Sequence, residues 1–363
     1  MKKVRLFVVL MTVLLIFPAW MIIGKYRKPI DPVGFPTRNT QEDSLMQRLQ
    51  KIQGKKILDA WKRTNTDKFT MWSVALCPHD DYAYAGWTYP VVLRNLRSEV
   101  VILVGVAHNA KKYGIEDKII FDKHFAWTGP YGPAKVSYIR EMIMNQLPGS
   151  VYTESDSLHN EEHSLEAIIP CLQYFNERVQ IVPILVPAMS FKTMDGIALS
   201  LALAIQKVLE ERTLSWGKDV SMIISSDAVH YGDQGWGDKN FAFYGTDTAG
   251  YRKALAHEQE IINNCLVGPI TKEKMKKFTD YTVGSPDYKT YKWTWCGRYA
   301  VPFGLLTAAY VKQNLRLGDL KGSFLGYTTS VGQTPLPVSD LGLGTNAAAN
   351  LHHWVGYTSI GYK

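Results

Sequence analysis

The chain has 363 residues, 46% of them hydrophobic and 20% charged, with a formal net charge of +8 at pH 7. That composition excludes a disordered chain and can build a sizeable globular core. Lysine and arginine are scattered, as at Lys111-Lys112 and from Lys274 to Lys277, with no basic stripe interleaved with aromatics, so no nucleic-acid partner is expected.

Residues 1–30 read as a targeting segment. Lys2, Lys3 and Arg5 precede an apolar run over 6–23, and Lys25, Arg27 and Lys28 follow it. The run is just long enough to span a bilayer, and no A-x-A cleavage site follows. The expectation is an uncleaved N-terminal membrane anchor rather than a cleaved signal peptide. Either would place the body in the cell envelope, outside the cytoplasm. Residues 31–42, with Pro32, Gly34 and Pro36, read as a linker, and 43–363 as a single α/β domain.

Leu45, Leu49, Ile52, Ile57 and Trp61 recur at helical intervals and predict a helix over 43–63. The apolar run 73–77 is a buried strand that stops at Pro78 and delivers His79. A helical pattern follows to Arg97. The β-branched run 100–107 is a second buried strand, ending on His108-Asn109. A short strand is expected over 118–123, and a helix opening at Pro133 within 132–147. The acidic start at Asn160-Glu161-Glu162 predicts a helix N-terminus, which would put His163 and Glu166 on one face. Residues 179–186 form a third strand, where Pro183 suggests an edge or a bulge. An amphipathic helix covers 191–211, and a fourth strand from Val220 runs into Ser225-Ser226-Asp227, with His230 three residues on. Helices follow at 247–266 and 271–278. Thr294-Trp295-Cys296-Gly297-Arg298 opens a last helix through 311, and strands at 322–327 and 354–362 close the chain.

This alternation predicts an α/β fold with a mostly parallel or mixed central sheet flanked by helices. Parallel strands share one exit edge, where α/β folds place ligands. His79, His108, Asp227 and His230 would converge there, and Cys296, at a helix N-terminus that favours thiolate, could approach. His79, His108 and Cys296 are a ligand set for one metal ion with an open coordination position. Asp227, His230 and His163 would be its acid–base groups, with Glu166 beside them and the phenols of Tyr82 and Tyr84 in the pocket. Blander readings stay open. A lone histidine at a strand end is more often structural. Glu162 or Glu166 beside His163 could be a surface ion pair, contributing well under ~1 kcal/mol.

Four cysteines, Cys77, Cys171, Cys265 and Cys296, are too few for a disulfide scaffold at this length. Cys77 and His79 lie two apart and would point the same way on an extended strand, so a Cys77–Cys296 disulfide is a competing arrangement. No G-x-S-x-G nucleophile motif occurs, so metal-free hydrolysis ranks lowest.

Five motifs resemble one family in its own order. Pro78-His79-x-x-Tyr82 is similar to the Pro-His-Ala-Gly-Tyr of the Memo family, also called AmmeMemoRadiSam system protein B. Gly105-Val106-Ala107-His108 resembles its Gly-Pro-Ser-His, and Glu162-His163-Ser164-Leu165-Glu166 its Glu-His-Ser-Ile-Glu. Ser225-Ser226-Asp227-x-x-His230-x-Gly232 and Thr294-x-Cys296-Gly297-Arg298 complete the set. The resemblance implies a fold like that of class III extradiol non-haem iron dioxygenases, with His79, His108 and Cys296 as ligands of an iron or copper ion. Asp227, His230 and His163 would line the pocket. It implies redox or dioxygenase-type chemistry on a small molecule, or, alternatively, a non-catalytic module for a peptide, ligand or metal. It also suggests a radical SAM system partner. The chain departs from the family at Asp80-Asp81, which replaces Ala-Gly and could add a carboxylate ligand, and at Asn109, which replaces a histidine. The family's opening His-Ala-Gly-Ser-Trp-Tyr motif is missing.

Overall fold

The computed structural model describes residues 25–363. The apolar run of the expected anchor lies outside them. Among the described residues, no helix is long and apolar enough to cross a membrane.

Four strands form the middle of the sheet: β1 (Val74–Cys77), β2 (Val100–Val106), β3 (Gln180–Val186) and β4 (Val220–Ser225). They are parallel, in the order β3-β2-β4-β1. Their near-continuous apolar runs reflect burial on both faces. Two long C-terminal strands extend the sheet antiparallel: β6 (His353–Tyr362) pairs with β1, and β5 (Lys321–Thr329) pairs with β6. Beyond β3 lie Gly132–Val136 and Ala126–Gly129, and then Tyr26–Arg27 at the edge. The fold is therefore α/β with a mixed central sheet, as the alternation predicts.

Side chains alternate across the sheet and feed two cores. Val100, Ile102 and Val104 pack under the helices α2 (Phe191–Arg212) and α3 (Ala300–Asn314). Val101, Leu103 and Ile223 pack on the opposite side, against the helices α1 (Asn39–Arg63) and Ile168–Phe175. Each fully buried aliphatic side chain contributes roughly 1.5–3 kcal/mol.

Several local expectations change. Helix Asn39–Arg63 starts earlier than predicted because Gln41 Oε1 accepts hydrogen bonds from the N–H groups of Thr37 and Arg38. Residues 132–136 are a strand rather than helix, and the helix there is Ile139–Gln146. β3 is no edge strand. Gly132–Val136 covers it at Gln180 and Ile181, and Ile119–Phe121 covers it at Ile184 and Leu185. Pro183 falls between these two partners, where its missing N–H is not needed on that side.

Candidate metal centre

The register brings three chemistry-bearing strand ends together. Cys77 is level with Ser225, so Pro78-His79 and Ser226-Asp227 leave the sheet side by side. His79 N–H donates to Asp227 Oδ1 at 2.9 Å, which fastens the two exits. His108 leaves β2 two residues beyond Val106.

Two neighbouring side chains set the ring orientations. Ser225 Oγ donates its one proton to the Ser164 carbonyl, so it must accept from His79 Nδ1, 3.0 Å away. The reverse assignment would press two oxygen lone pairs together. His79 therefore carries its proton on Nδ1, and Nε2 keeps a lone pair 3.4 Å from Cys296 Sγ. His108 is held by Glu162, which accepts from its N–H and its Nδ1, both at 2.8 Å. Glu162 is placed by Ser164, whose hydroxyl both donates to and accepts from Val106 backbone while its N–H donates to Glu162 Oε1. Gly105 makes this possible, because a Cβ there would strike Leu165 and Ser164.

Cys296 arrives from the turn before α3. Asp227 N–H donates to its Sγ at 3.1 Å, and Gly297 N–H donates to Ser226 Oγ, also at 3.1 Å. A Cβ at Gly297 would sit 2.2 Å from Ser226 Oγ, so only glycine lets the turn come this close. The donor atoms of His79, His108 and Cys296 all lie within 4.8 Å of one another. Those of Asp227, His230 and Cys296 do so too, as do those of His108, Glu162 and His163.

The electrostatics suit a cation. Burial, with the charge of Asp227, pushes the Cys296 thiol well up. Burial, with the neighbouring histidines, holds His79 below the usual histidine range, so it stays a neutral donor. Burial also opposes a charge on His108, but Glu162 outweighs it and raises that group. Burial would raise Glu162, yet His108 and His163 hold it below the usual carboxylate range. His230 Nε2 is a buried atom with no hydrogen-bond partner among the described residues, 3.8 Å from Asp227 Oδ2. The donor set fits a soft or borderline metal ion, which would ionise the thiol on binding. A cavity of about 520 Å³ adjoins the cluster, with His108 and Cys296 in its wall.

The family model described as Memo-like protein matches residues 38–342. The chain belongs to the Memo family. A MEMO1 family protein of Pyrococcus furiosus is 25% identical over 71% of this chain and 80% of its own length. One of Nitrosopumilus maritimus is 27% identical over 70% of this chain and 76% of its own. One of Pyrobaculum arsenaticum is 31% identical over 42% of this chain, which spans about half, 52%, of that relative.

In this Memo-family chain, the predicted His79, His108, Cys296, Asp227 and His230 come together, and His163 stacks on His108 at 4.9 Å between ring centroids. Other candidates do not join them. Residues 163–167 form a turn, and the helix begins only at Ile168, so His163 and Glu166 share no helical face. Glu166 instead pairs with buried Arg27 at 2.7 Å and accepts from the N–H groups of Ile30 and Asp31. It ties the N-terminal segment to the body. Tyr82 and Tyr84 donate to the carbonyls of Ala167 and Ala347, away from the cluster. The Asp80 carboxylate takes the Tyr357 hydroxyl and Asp81 takes Asn346, and neither joins a cluster of candidate ligands among the described residues. All four cysteines are free. Cys77 and Cys296 belong to the cores on opposite faces of the sheet, so the disulfide does not form. Cys296 also sits four residues ahead of α3 rather than on its first turn, so no helix end supplies a thiolate.

In the sequence, Glu162 reads as a helix-start acid or a surface ion pair, and Ser225 carries no role of its own. Both signals lay in the motifs, one beside His163 and one at the end of β4. Glu258 is a third residue of this kind. It lies on the helix Thr248–Ile261 and accepts from the indoles of Trp293 and Trp295, from Val229 N–H and from Tyr327. Those contacts hold the segments carrying Cys296 and His230, and nothing in the helical pattern distinguishes it.

Proposed function

We propose that this chain holds one iron or copper ion on His79 Nε2, His108 Nε2 and Cys296 Sγ and works on a small molecule in the adjoining cavity. One observation carries the reading: two imidazoles, each pinned through Nδ1 by a buried acceptor, turn their other nitrogens toward a buried thiol. Such an ion would supply redox change and a Lewis acid at an open position. The protein's own part is orientation and proton handling. Ser225 and Glu162 fix the rings, and Asp227 anchors His79 and the Cys296 sulfur. His230, with an unsatisfied Nε2 beside Asp227, is the proton donor or acceptor, and His163, stacked on His108, is a second. We also propose, from the charged and apolar pattern of residues 1–30, that the body is carried at a membrane outside the cytoplasm.

The test is to strip the protein with a chelator, reload it separately with iron, copper or zinc, and measure bound metal by elemental analysis. The expected result is one ion per chain. In the His79→Ala/Cys296→Ala variant, affinity should fall by more than about a hundredfold, beyond the loss typical of a supporting residue. A double variant that binds as tightly as wild type refutes the ligand assignment. Oxygen uptake or product formation with candidate phenols then separates an enzyme from a binding module.

A further inference from the structure

The cavity beside the candidate metal centre contains a buried charge with no counter-charge. Arg298 lies in its wall, two residues after Cys296, and is only 8% exposed. No Asp or Glu lies within ion-pair reach of it among the described residues. Its Nε is buried without any hydrogen-bond partner there, and Nη2 donates only to the Lys289 carbonyl, at 3.2 Å. The rings of Tyr291 and Tyr299 lie 3.5 and 4.6 Å from its central carbon. Such contacts soften the cost of burying a cation, but a ring offers no acceptor to the N–H edge. A buried guanidinium with an unpartnered N–H and no counter-charge is costly, and native interiors rarely keep one without a use.

The surroundings say what would use it. The cavity's one lining carboxylate is Glu116, and that is paired with Lys289. Exposed Lys111 and Lys239 add positive charge at the rim. The remaining wall is largely apolar, with Val106, Ile115 and Val186. A volume of about 520 Å³ suits a small organic molecule.

We propose that Arg298 is an anion-recognition residue and that the cavity takes a small organic carboxylate with an apolar body. This rests on the metal-centre reading for its function, but not for its binding. The planar fork of a guanidinium matches a carboxylate through two parallel N–H···O bonds, which a lysine ammonium cannot copy. The carboxylate would sit at Arg298, and the apolar body would lie along Ile115 and Val186, with Cys296 and His108 in the same wall.

The experiment is calorimetric titration with benzoate and with benzamide, which share shape and differ in charge. It is run on metal-free and on zinc-loaded protein, with metal content measured in the same samples. Benzoate should bind saturably, and benzamide about tenfold more weakly or worse. Arg298→Met should bring benzoate down to the level of benzamide, and Arg298→Lys should lose most of the preference. The wild-type comparison stands even if a variant fails to fold. The proposal is overturned if benzoate does not bind, if benzamide binds equally, if a folded Arg298→Met keeps the preference, or if inorganic phosphate binds more tightly than benzoate. Protein that holds its ion without discriminating sinks the carboxylate subsite and leaves the metal assignment standing. Protein that discriminates without holding an ion supports the subsite and sinks the metal assignment.

Discussion

His79 Nε2 and Cys296 Sγ meet at 3.4 Å across a separation of 217 residues. One follows the central strand β1 and the other precedes the last helix. Asp227 bridges them, since its carboxylate accepts from His79 N–H while its own N–H donates to the sulfur. The pair is thus positioned by protein groups before any ion arrives.

Ser225→Ala should weaken metal binding by about ten- to a hundredfold, the usual effect of losing a group that orients a ligand. The change frees His79 to carry its proton on Nε2, where it blocks coordination. It also leaves the Ser164 carbonyl without this donor, costing about 1–3 kcal/mol of stability. Competition with a chromogenic chelator and a denaturant melt read the two effects. Metal affinity equal to wild type would show that Ser225 does not set the tautomer.

The Glu162–His108 pair should make the metal-free protein most stable in mildly acidic solution. Glu162 is held below its ordinary 4.5, so its contribution is present above that pH and is lost as pH falls toward its folded value. His108 is raised above its ordinary 6.5, so its contribution is full below that pH and is lost as pH rises through its folded value. These are two views of one interaction. Melting temperatures of wild type and Glu162→Gln across pH should differ most between about 4.5 and 6.5 and converge on both sides. A gap that widens steadily with pH would contradict the pairing.

Glu258→Gln should destabilise the fold by about 1–3 kcal/mol, because an amide N–H₂ would face groups that are nearly all donors. The indole N–H groups of Trp293 and Trp295 both reach Glu258 Oε1, at 2.6 and 2.7 Å. The change should also shift tryptophan emission and loosen metal binding, since Trp295 adjoins Cys296. Unaltered stability and emission would mean that the carboxylate is not an acceptor there.

Glu42 is a stability defect that can be removed. Both carboxylate oxygens are buried without partners among the described residues. Burial, with nearby Asp43, pushes the group up to about 8 from 4.5. With the folded value raised, the folded state holds the extra proton between those limits, so stability falls as pH climbs from about 4.5 through about 8. Glu42→Gln should remove that slope, and its advantage in melting temperature should grow with pH up to about 8. A constant offset across that range would count against the assignment.

The strands were the most legible part of the chain. Four short, continuous apolar runs favour buried strands, and three of them end on or near a histidine or aspartate. The turn around Glu162-His163 was not legible. Its acidic residues suit a helix N-terminus equally well, and distant partners hold the segment as a turn, among them Val106 gripped by Ser164 and Arg27 paired with Glu166. Pro183 gave a false sign for a similar reason: whether a missing N–H matters depends on which neighbour lies opposite it.

The amino-acid order by itself determined the α/β class, the strands that end at His79, His108 and Asp227, and the family, because hydrophobic period and motif spacing are local properties. Tertiary structure alone decided the partner of each polar group. Glu162 became the orienter of His108 while Glu166, four residues on, became the anchor of Arg27. Cys77 went to one face of the sheet and Cys296 to the other. Arg298 was left buried beside the cavity. Hydrogen-bond partners and counter-charges are set by contacts across tens to hundreds of residues, and no local pattern encodes which of two similar carboxylates will reach which cation.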